Sequence, residues 1–294
     1  MLISTQTLTL TSVFGPKETL RIIKDAGFDC ADFSFFDSVD PVRLGDNATE
    51  FAKDLRAYAD SIGMTYNQAH APFVFSYEKS VNYKTEIVPI IIKTIEICEI
   101  LGVDTLIVHP LHFVPYKDNK EKLHDINMEF YNILRPYAEK AGVRICLENM
   151  FQCYPKTSKI IPSVCCFDGG FTEYFDELDS DTFTCCLDIG HCGLVGTEPQ
   201  EAIRILGHDR LGALHVHDND FVSDQHIAIG MGKIDWDAVA KALADIDYKG
   251  VFTLESDNAF LGIQKEFMPE MAKYMYRTAK QVVDKIEEYK KFAK

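Results

Sequence analysis

The residues of this chain that could do chemistry stand at the ends of apolar runs. Arg144-Ile145-Cys146-Leu147-Glu148, Thr184-Cys185-Cys186-Leu187-Asp188, Ala213-Leu214-His215-Val216-His217 and Val251-Phe252-Thr253-Leu254-Glu255 each finish in a carboxylate or an imidazole. A carboxylate beside a core is costly unless a cation, a proton or hydrogen bonds compensate it, so four such groups at equivalent positions imply one shared site. Singly, an acidic residue at a strand end is ordinarily a helix cap or a solvated edge, and the recurrence is what tells against that reading here. If the four strands converge, Glu148, Asp188, His215 and Glu255 surround a single divalent ion. Three oxygen donors and one imidazole suit Mn²⁺ first, then Co²⁺ or Mg²⁺, and Zn²⁺ also accepts the set.

The histidines extend the pattern. Of nine in the chain, His70 and His109 close two earlier apolar runs, His191 follows Asp188 by three residues, and His226 follows Asp224 by two. Each alone reads as a hydrogen-bonded structural residue, because imidazole tolerates partial burial. Together they outline a ring of imidazoles and carboxylates. His215 and His217 are two apart and project to the same side of a strand, so residue spacing leaves open which of them would be the ligand. His112, His124 and His208 fall in loops or helices and receive no role. Phe14, Phe36 and Phe73 follow the first three runs, where an aromatic ring either covers a ligand's apolar face or packs a loop. Trp236, after Gly-Lys-Ile-Asp, is expected to pack the start of a helix.

Elements must position these groups. Runs at Leu2–Leu10, Cys30–Phe35, Thr65–His70, Thr105–His109, Arg144–Glu148, Thr182–Asp188, Leu211–Asp218 and Val251–Glu255 alternate with segments of helical spacing, predicting eight strands and eight helices. The helix-to-strand junctions share a small or apolar residue, a glycine and then a strand, with Gly27, Gly63, Gly102 and Gly142 at intervals of 36, 39 and 40 residues. That period matches a βα unit, and eight units close into a single (βα)8 TIM barrel. A doubly wound open sheet competes, but its G-x-G-x-x-G signature is absent. The segments from Asn149 to Gly169 and from Asn219 to Lys233 are longer than turns require, and on a barrel such loops rise from the catalytic face. Met268, Met271, Met275 and Tyr276 form one stripe of the last helix, expected to pack on the barrel.

Composition narrows the function classes. With 294 residues and 47% hydrophobic content the chain suits one domain over 1–294. Nine cysteines, an odd number with no C-x-x-C pair, read as small buried hydrophobes in a reducing cytoplasm rather than as disulfides or a zinc knuckle. Met1 to Gly15 holds no basic residue and the run Ile87 to Ile92 is too short for a bilayer, so a soluble, cytoplasmic protein without membrane contact is expected. A net charge of −15 disfavours a nucleic-acid partner. Homo-oligomerisation is left open.

The segments Leu147–Met150 (LENM), Leu187–His191 (LDIGH), HVHDND with Asp224–Trp236 (DQHIAIGMGKIDW), and Gly250–Glu255 (GVFTLE) resemble the xylose isomerase-like TIM barrels, the sugar isomerase, epimerase and AP endonuclease 2 type superfamily. The resemblance implies that Glu148, Asp188, His215 and Glu255 hold one divalent metal, with His215 preferred to His217 because the family's ligand precedes an acidic residue, here Asp218, by three positions. It further implies that His191 and His226, together with His70, His109 and Asp224, face a sugar or sugar-phosphate substrate. In such a site Glu148 and Glu255 exchange a proton beside a carbonyl, giving epimerisation or aldose–ketose isomerisation according to where the proton returns. Two other readings follow from the same superfamily. All nine positions of the endonuclease IV trinuclear zinc cluster have counterparts in His70, His109, Glu148, Asp188, His191, His215, Asp224, His226 and Glu255. Loss of the same proton with ejection of a β-substituent would instead make a lyase or dehydratase. Lys156, Lys159 or a helix N-terminus could hold a phosphate, so phosphorylated and free sugars both stand.

Overall fold

The apolar runs fold as short parallel strands because their residues are buried on both faces, by the barrel interior on one side and by helices on the other. In the computed structural model, residues 1–35, 44–73, 82–154, 157–167, 170–178 and 181–292 are described; Phe36 and Lys156 lie outside them. The strands are β1 (Ile3–Gln6), β2 (Cys30–Ser34), β3 (Tyr66–His70), β4 (Thr105–Ile107), β5 (Arg144–Glu148), β6 (Phe151–Cys153), β7 (Ile160–Pro162), β8 (Phe183–Asp188), β9 (Leu211–His215) and β10 (Phe252–Leu254). Eight of them form one parallel sheet in the order β10-β1-β2-β3-β4-β5-β8-β9. A bridge between Val216 and Leu254 joins the ends, with Val216 N–H donating to Thr253 O at 2.9 Å and Glu255 N–H to Val216 O at 2.9 Å. The fold is therefore the (βα)8 barrel read from the glycine period.

The helices are α1 (Leu8–Phe14), α2 (Pro16–Ala26), α3 (Ala48–Ile62), α4 (Tyr83–Glu86), α5 (Val88–Leu101), α6 (Lys120–Ala141), α7 (Phe171–Leu178), α8 (Ile189–Leu194), α9 (Pro199–Arg210), α10 (Trp236–Asp245) and α11 (Met268–Phe292). Gly27, Gly63, Gly102 and Gly142 terminate α2, α3, α5 and α6 with φ of 111°, 66°, 73° and 65°, the left-handed conformation that frees the next residue to start a strand. On α11, Met268 and Met275 are buried and Met271 and Tyr276 pack partly against the core, as the stripe predicts. No helix among the described residues is long and apolar enough to cross a membrane.

Three expectations need correction. The first strand ends at Gln6 rather than Leu10, because Leu8–Phe14 coils into α1 and buries Leu10, and Gly15 at φ 78° separates it from α2 with Pro16 in its first turn. Alternating Leu and Thr fits a strand locally, and tertiary packing overrides it. The segment after Glu148 is not simply a loop, since β6 and β7 pair as an antiparallel hairpin, Phe151 opposite Pro162. The helices also outnumber the expected eight, because short extra helices such as α1, α4 and α8 join the repeat.

Candidate metal centre at the barrel mouth

Parallel pairing brings the C-terminal ends of all eight strands to one rim, and the chemistry-bearing residues gather there. Ligand atoms of Glu148, Asp188, His215 and Glu255 all lie within 4.8 Å of one another. The four side chains are buried, at 1%, 0%, 0% and 4% exposure. His215 Nδ1 stands 3.3 Å from Glu148 Oε1 and 3.1 Å from Glu255 Oε2. The second oxygen of each glutamate is held from a neighbouring strand: the Gln6 amide donates to Glu255 Oε1 at 2.9 Å, and His109 Nε2 lies 3.0 Å from Glu148 Oε2. Asp188 caps α8 by accepting the His191 backbone N–H on Oδ1 at 2.7 Å, while His217 Nε2 sits 3.1 and 3.2 Å from its two oxygens.

The remaining sequence candidates complete the ring. His70 Nε2 lies 3.0 Å from His109 Nε2, and these two with Glu148 make a second ligand-like group. His191, His217, Asp224 and His226 make a third. In it His226 Nδ1 donates to Glu255 O at 2.8 Å, its Nε2 meets Asp224 Oδ2 at 3.0 Å, and its ring stacks on His217 at 3.9 Å and 15°. His226 holds a left-handed φ of 46°, a strain that a non-glycine residue keeps only when its surroundings over-determine it. His215 and His217 both turn inward, but toward different groups.

The loop between β9 and α10 folds around one carboxylate. Asp218 is fully buried and accepts N–H groups from Asn219 at 3.0 Å, Gly230 at 2.8 Å and Ile234 at 3.1 Å, plus the Trp236 indole at 3.0 Å. Backbone bonds between Asp218 and Ile227 clamp the loop into an antiparallel bridge, setting Asp224 and His226 over the mouth. The composition Gly-Met-Gly-Lys-Ile-Asp-Trp follows from this contact, since a Cβ on Gly232 would fall 2.3 Å from Asp218 Oδ1 and 2.4 Å from Asn219 O. Trp236 has the packing role its position suggested.

The electrostatics fit a cation. Among the described residues no lysine or arginine pairs with Asp32, Glu148, Asp188, Asp224 or Glu255, so imidazoles alone oppose these carboxylates. Burial pushes Glu148 up, yet His215 and then His109 outweigh it and hold it well below the carboxylate range. Burial pushes His215 down, yet Glu255 and Glu148 hold it well above its ordinary value. His226, resisted by burial but supported by Asp224 and Glu255, is raised to about 10. Burial lowers His109 despite Glu148. The field at the mouth thus favours positive charge among the carboxylates. His215 Nδ1, between Glu148 and Glu255, and Asp224 Oδ1 are buried without a hydrogen bond of good geometry, which is what donor atoms shaped for an ion look like. The residues present therefore fit a divalent metal.

Several contributors escape a reading of the sequence. Asn149 ties the end of β5 to that of β8, accepting Asp188 N–H at 2.7 Å and donating to Asp188 O at 3.0 Å, and its carbonyl takes His191 Nδ1 at 2.8 Å. Asn149 directly follows Glu148, and that adjacency was the available signal. Gln6, Asp32 and Gln68 form a polar level on β1–β3, with Gln6 in register with Asp32 and Asp32 with Gln68. An amide or carboxylate inside an apolar strand was their only mark. Phe73, 44% exposed, stacks on His70 at 4.8 Å, and Phe151 meets His191 edge-on at 4.9 Å, so both border the mouth. Phe14 instead packs against the core, with Lys265 Nζ 4.8 Å above its ring.

Comparison with known proteins agrees with the architecture. A D-tagatose 3-epimerase-like protein superposes with a TM-score of 0.76 at 22% identity, covering 98% of this chain and 99% of that one. Other structural neighbours are sugar epimerases of the same fold. An uncharacterized protein of Methanocaldococcus jannaschii is 30% identical over 195 residues, 64% of each chain, so the match spans slightly under two thirds of that relative. A probable endonuclease 4 of Mycoplasma mycoides is 26% identical over 198 residues, 62% of this chain and 64% of that one. Residues 20–277 match the family of the xylose isomerase-like TIM barrel, and the chain belongs to that family.

Proposed function

We propose that the protein is a divalent-metal-dependent epimerase or isomerase of ketoses, free or phosphorylated, with Glu148, Asp188, His215 and Glu255 as metal ligands and Mn²⁺ as the preferred ion. The observation that carries the reading is the convergence of Glu148 Oε1 and Glu255 Oε2 on His215 Nδ1 while each glutamate's other oxygen is held away by a fixed partner. Two buried carboxylates are thereby presented as a pair to one small volume. When bound, the cation would supply stabilisation of the negative charge that develops on the substrate oxygens as the proton beside the carbonyl leaves. One glutamate takes that proton and the other returns one; return to the same carbon inverts it, and return to the neighbouring carbon moves the carbonyl. His191 and His226, together with His70, His109 and Asp224, offer polar contacts for sugar hydroxyls, and the rings of Phe73 and Phe151 offer apolar cover. The sugar epimerases among the structural neighbours support this class.

The test is solvent exchange. Mn²⁺-loaded protein incubated with ketohexoses, ketopentoses and their phosphates in deuterium oxide is expected to wash deuterium into one carbon of at least one substrate, read by NMR. No exchange across that panel would overturn the assignment. One specific observation favours a second reading: four ligand-like groups, three of them overlapping, adjoin at the mouth, more donors than one ion needs and enough for a zinc cluster such as a trinuclear phosphodiesterase would require. Three zinc ions per chain with nicking of abasic duplex would establish it; one ion without nicking would remove it.

A further inference from the structure

The half of the barrel that supplies none of the four candidate ligands carries a buried charge that the proposed reaction does not use. Asp32, on β2, is 0% exposed, and so is His215 across the barrel. Asp32 Oδ2 lies 3.8 Å from His215 Nε2, while the other ring nitrogen, Nδ1, faces Glu148 and Glu255. The imidazole is thus bracketed, with two candidate ligands on one nitrogen and a third carboxylate on the other.

The surroundings of Asp32 fix its orientation. Gln68 Oε1 accepts from Thr253 Oγ1 at 3.2 Å and from Asn67 Nδ2 at 3.2 Å, so the Gln68 amide nitrogen must turn the other way, and it donates to Asp32 Oδ2 at 3.0 Å. Asp32 Oδ1 keeps no hydrogen bond at all. A buried carboxylate with one neutral donor and one orphaned oxygen is destabilising, and an apolar side chain would serve barrel stability better. Its place at that cost needs a compensating role.

We propose that Asp32 is a positioning residue for His215: its carboxylate, 3.8 Å from Nε2 and so beyond hydrogen-bond range in this structure, attracts the protonated Nε2 edge of the ring and thereby keeps the Nδ1 lone pair aimed at the point shared by Glu148 and Glu255. A ligating imidazole generally gives its second N–H to a carboxylate or carbonyl, which fixes tautomer and ring plane and strengthens the nitrogen that binds. Gln68 and Thr253 hold Asp32 in turn, which ties β2, β3 and β10 to the orientation of a ligand on β9. The inference rests on the metal reading above and adds to it a role for a residue outside the ligand set.

Co²⁺ titration of wild type, Asp32→Asn and Asp32→Glu, followed by chelator competition and by the visible ligand-field spectrum, tests it. Asp32→Asn keeps the side-chain volume and is expected to weaken Co²⁺ binding by about 10- to 100-fold and to change the spectrum, with partial recovery in Asp32→Glu. Wild-type affinity and an unchanged spectrum in Asp32→Asn would overturn the proposal. Should Asp32→Asn not fold, ¹⁵N imidazole spectra of the Zn²⁺-loaded wild type decide: His215 ligated through Nδ1 with Nε2 protonated upholds the role, and ligation through Nε2 refutes it. If wild type binds no ion the metal reading itself fails and Asp32 falls with it, whereas ion binding that is indifferent to Asp32 refutes the positioning role alone.

Discussion

Glu148 and Glu255 carry the same functional group in unlike company. Glu255 is held by the amide of Gln6, which cannot titrate, and Glu148 by the imidazole of His109, which can. Replacing either glutamate with Gln keeps its shape and removes its basicity, so each variant is expected to lose about 10²- to 10⁴-fold in carbon-bound proton exchange. Elemental analysis of the same samples separates loss of the base from loss of the ion, and full exchange in either variant contradicts a two-base scheme. His112 supplies a prediction of a different kind. Burial, then His109 and His191, push it down to about 3, and its Nδ1 lies 3.1 Å from Ser163 Oγ. The ordinary value is near 6.5, so between pH 6.5 and 3 the unfolded chain binds a proton that the folded chain refuses, and stability falls as pH falls through that window. His112→Asn is expected to lose less stability over the same acid range, by on the order of 3 kcal/mol, in paired denaturant melts at pH 7 and pH 4. Equal losses in both proteins would refute the shift. At this scale legibility followed charge. A single carboxylate or histidine at the end of an apolar run has an ordinary explanation, but their recurrence, with His191, Asp224 and His226 in the motifs that follow, marked nine candidate positions, and the structure gathers them. Gln6, Gln68 and Asn149 are uncharged amides whose value lies in which way they face, and facing direction is decided only when the barrel closes.

The connection from β9 to α10 shows how an element converts sequence into a site. Its backbone is anchored by three N–H groups on Asp218, which also takes the Trp236 indole, by the bridge to Ile227, and by Asn258 Nδ2 donating to Gln225 O at 2.9 Å. Such a segment presents Asp224 and His226 already in place rather than closing as a lid. Gly232→Ala forces a methyl group into Asp218 and the Asn219 backbone and is expected to cost about 1–3 kcal/mol, typical of overpacking. The same variant should change the ¹⁵N imidazole shifts of His226. A variant with unchanged melting temperature and unchanged His226 resonances would show that the loop does not depend on this contact. The elements themselves were legible where local and tertiary preferences agree, as at the four glycine-terminated helices. They were illegible where those preferences conflict: Leu8-Thr9-Leu10 has strand chemistry but is taken into α1 by the burial of Leu10, and the β6–β7 hairpin has no alternating pattern longer than its own three-residue strands.

At the scale of the whole molecule the barrel divides its labour. Strands β5, β8, β9 and β10 bring the four candidate ligands to the mouth, while β1 sends in Gln6 to hold Glu255, and β2 and β3 place Asp32 and Gln68 beside His215. The candidate ligands come from four strands spread along the chain from Glu148 to Glu255 and meet only when the sheet closes, so an ion bound there binds the folded state and not the unfolded chain. Linkage then makes the ion a stabiliser of the entire barrel. At a free concentration about 100 times its dissociation constant it adds about 2.7 kcal/mol. In chains of this size class each kcal/mol moves the melting temperature by about 2–4 °C, so Mn²⁺ is expected to raise it by about 5–10 °C over protein stripped with a chelator. Calorimetry at several Mn²⁺ concentrations checks both the size of the shift and its logarithmic dependence on concentration. His215→Ala removes the nitrogen on which the two glutamates converge and should flatten that dependence. An Mn²⁺ shift of equal size in His215→Ala would place the stabilising ion somewhere other than the mouth, because a site built on that nitrogen cannot keep its affinity when the nitrogen is gone.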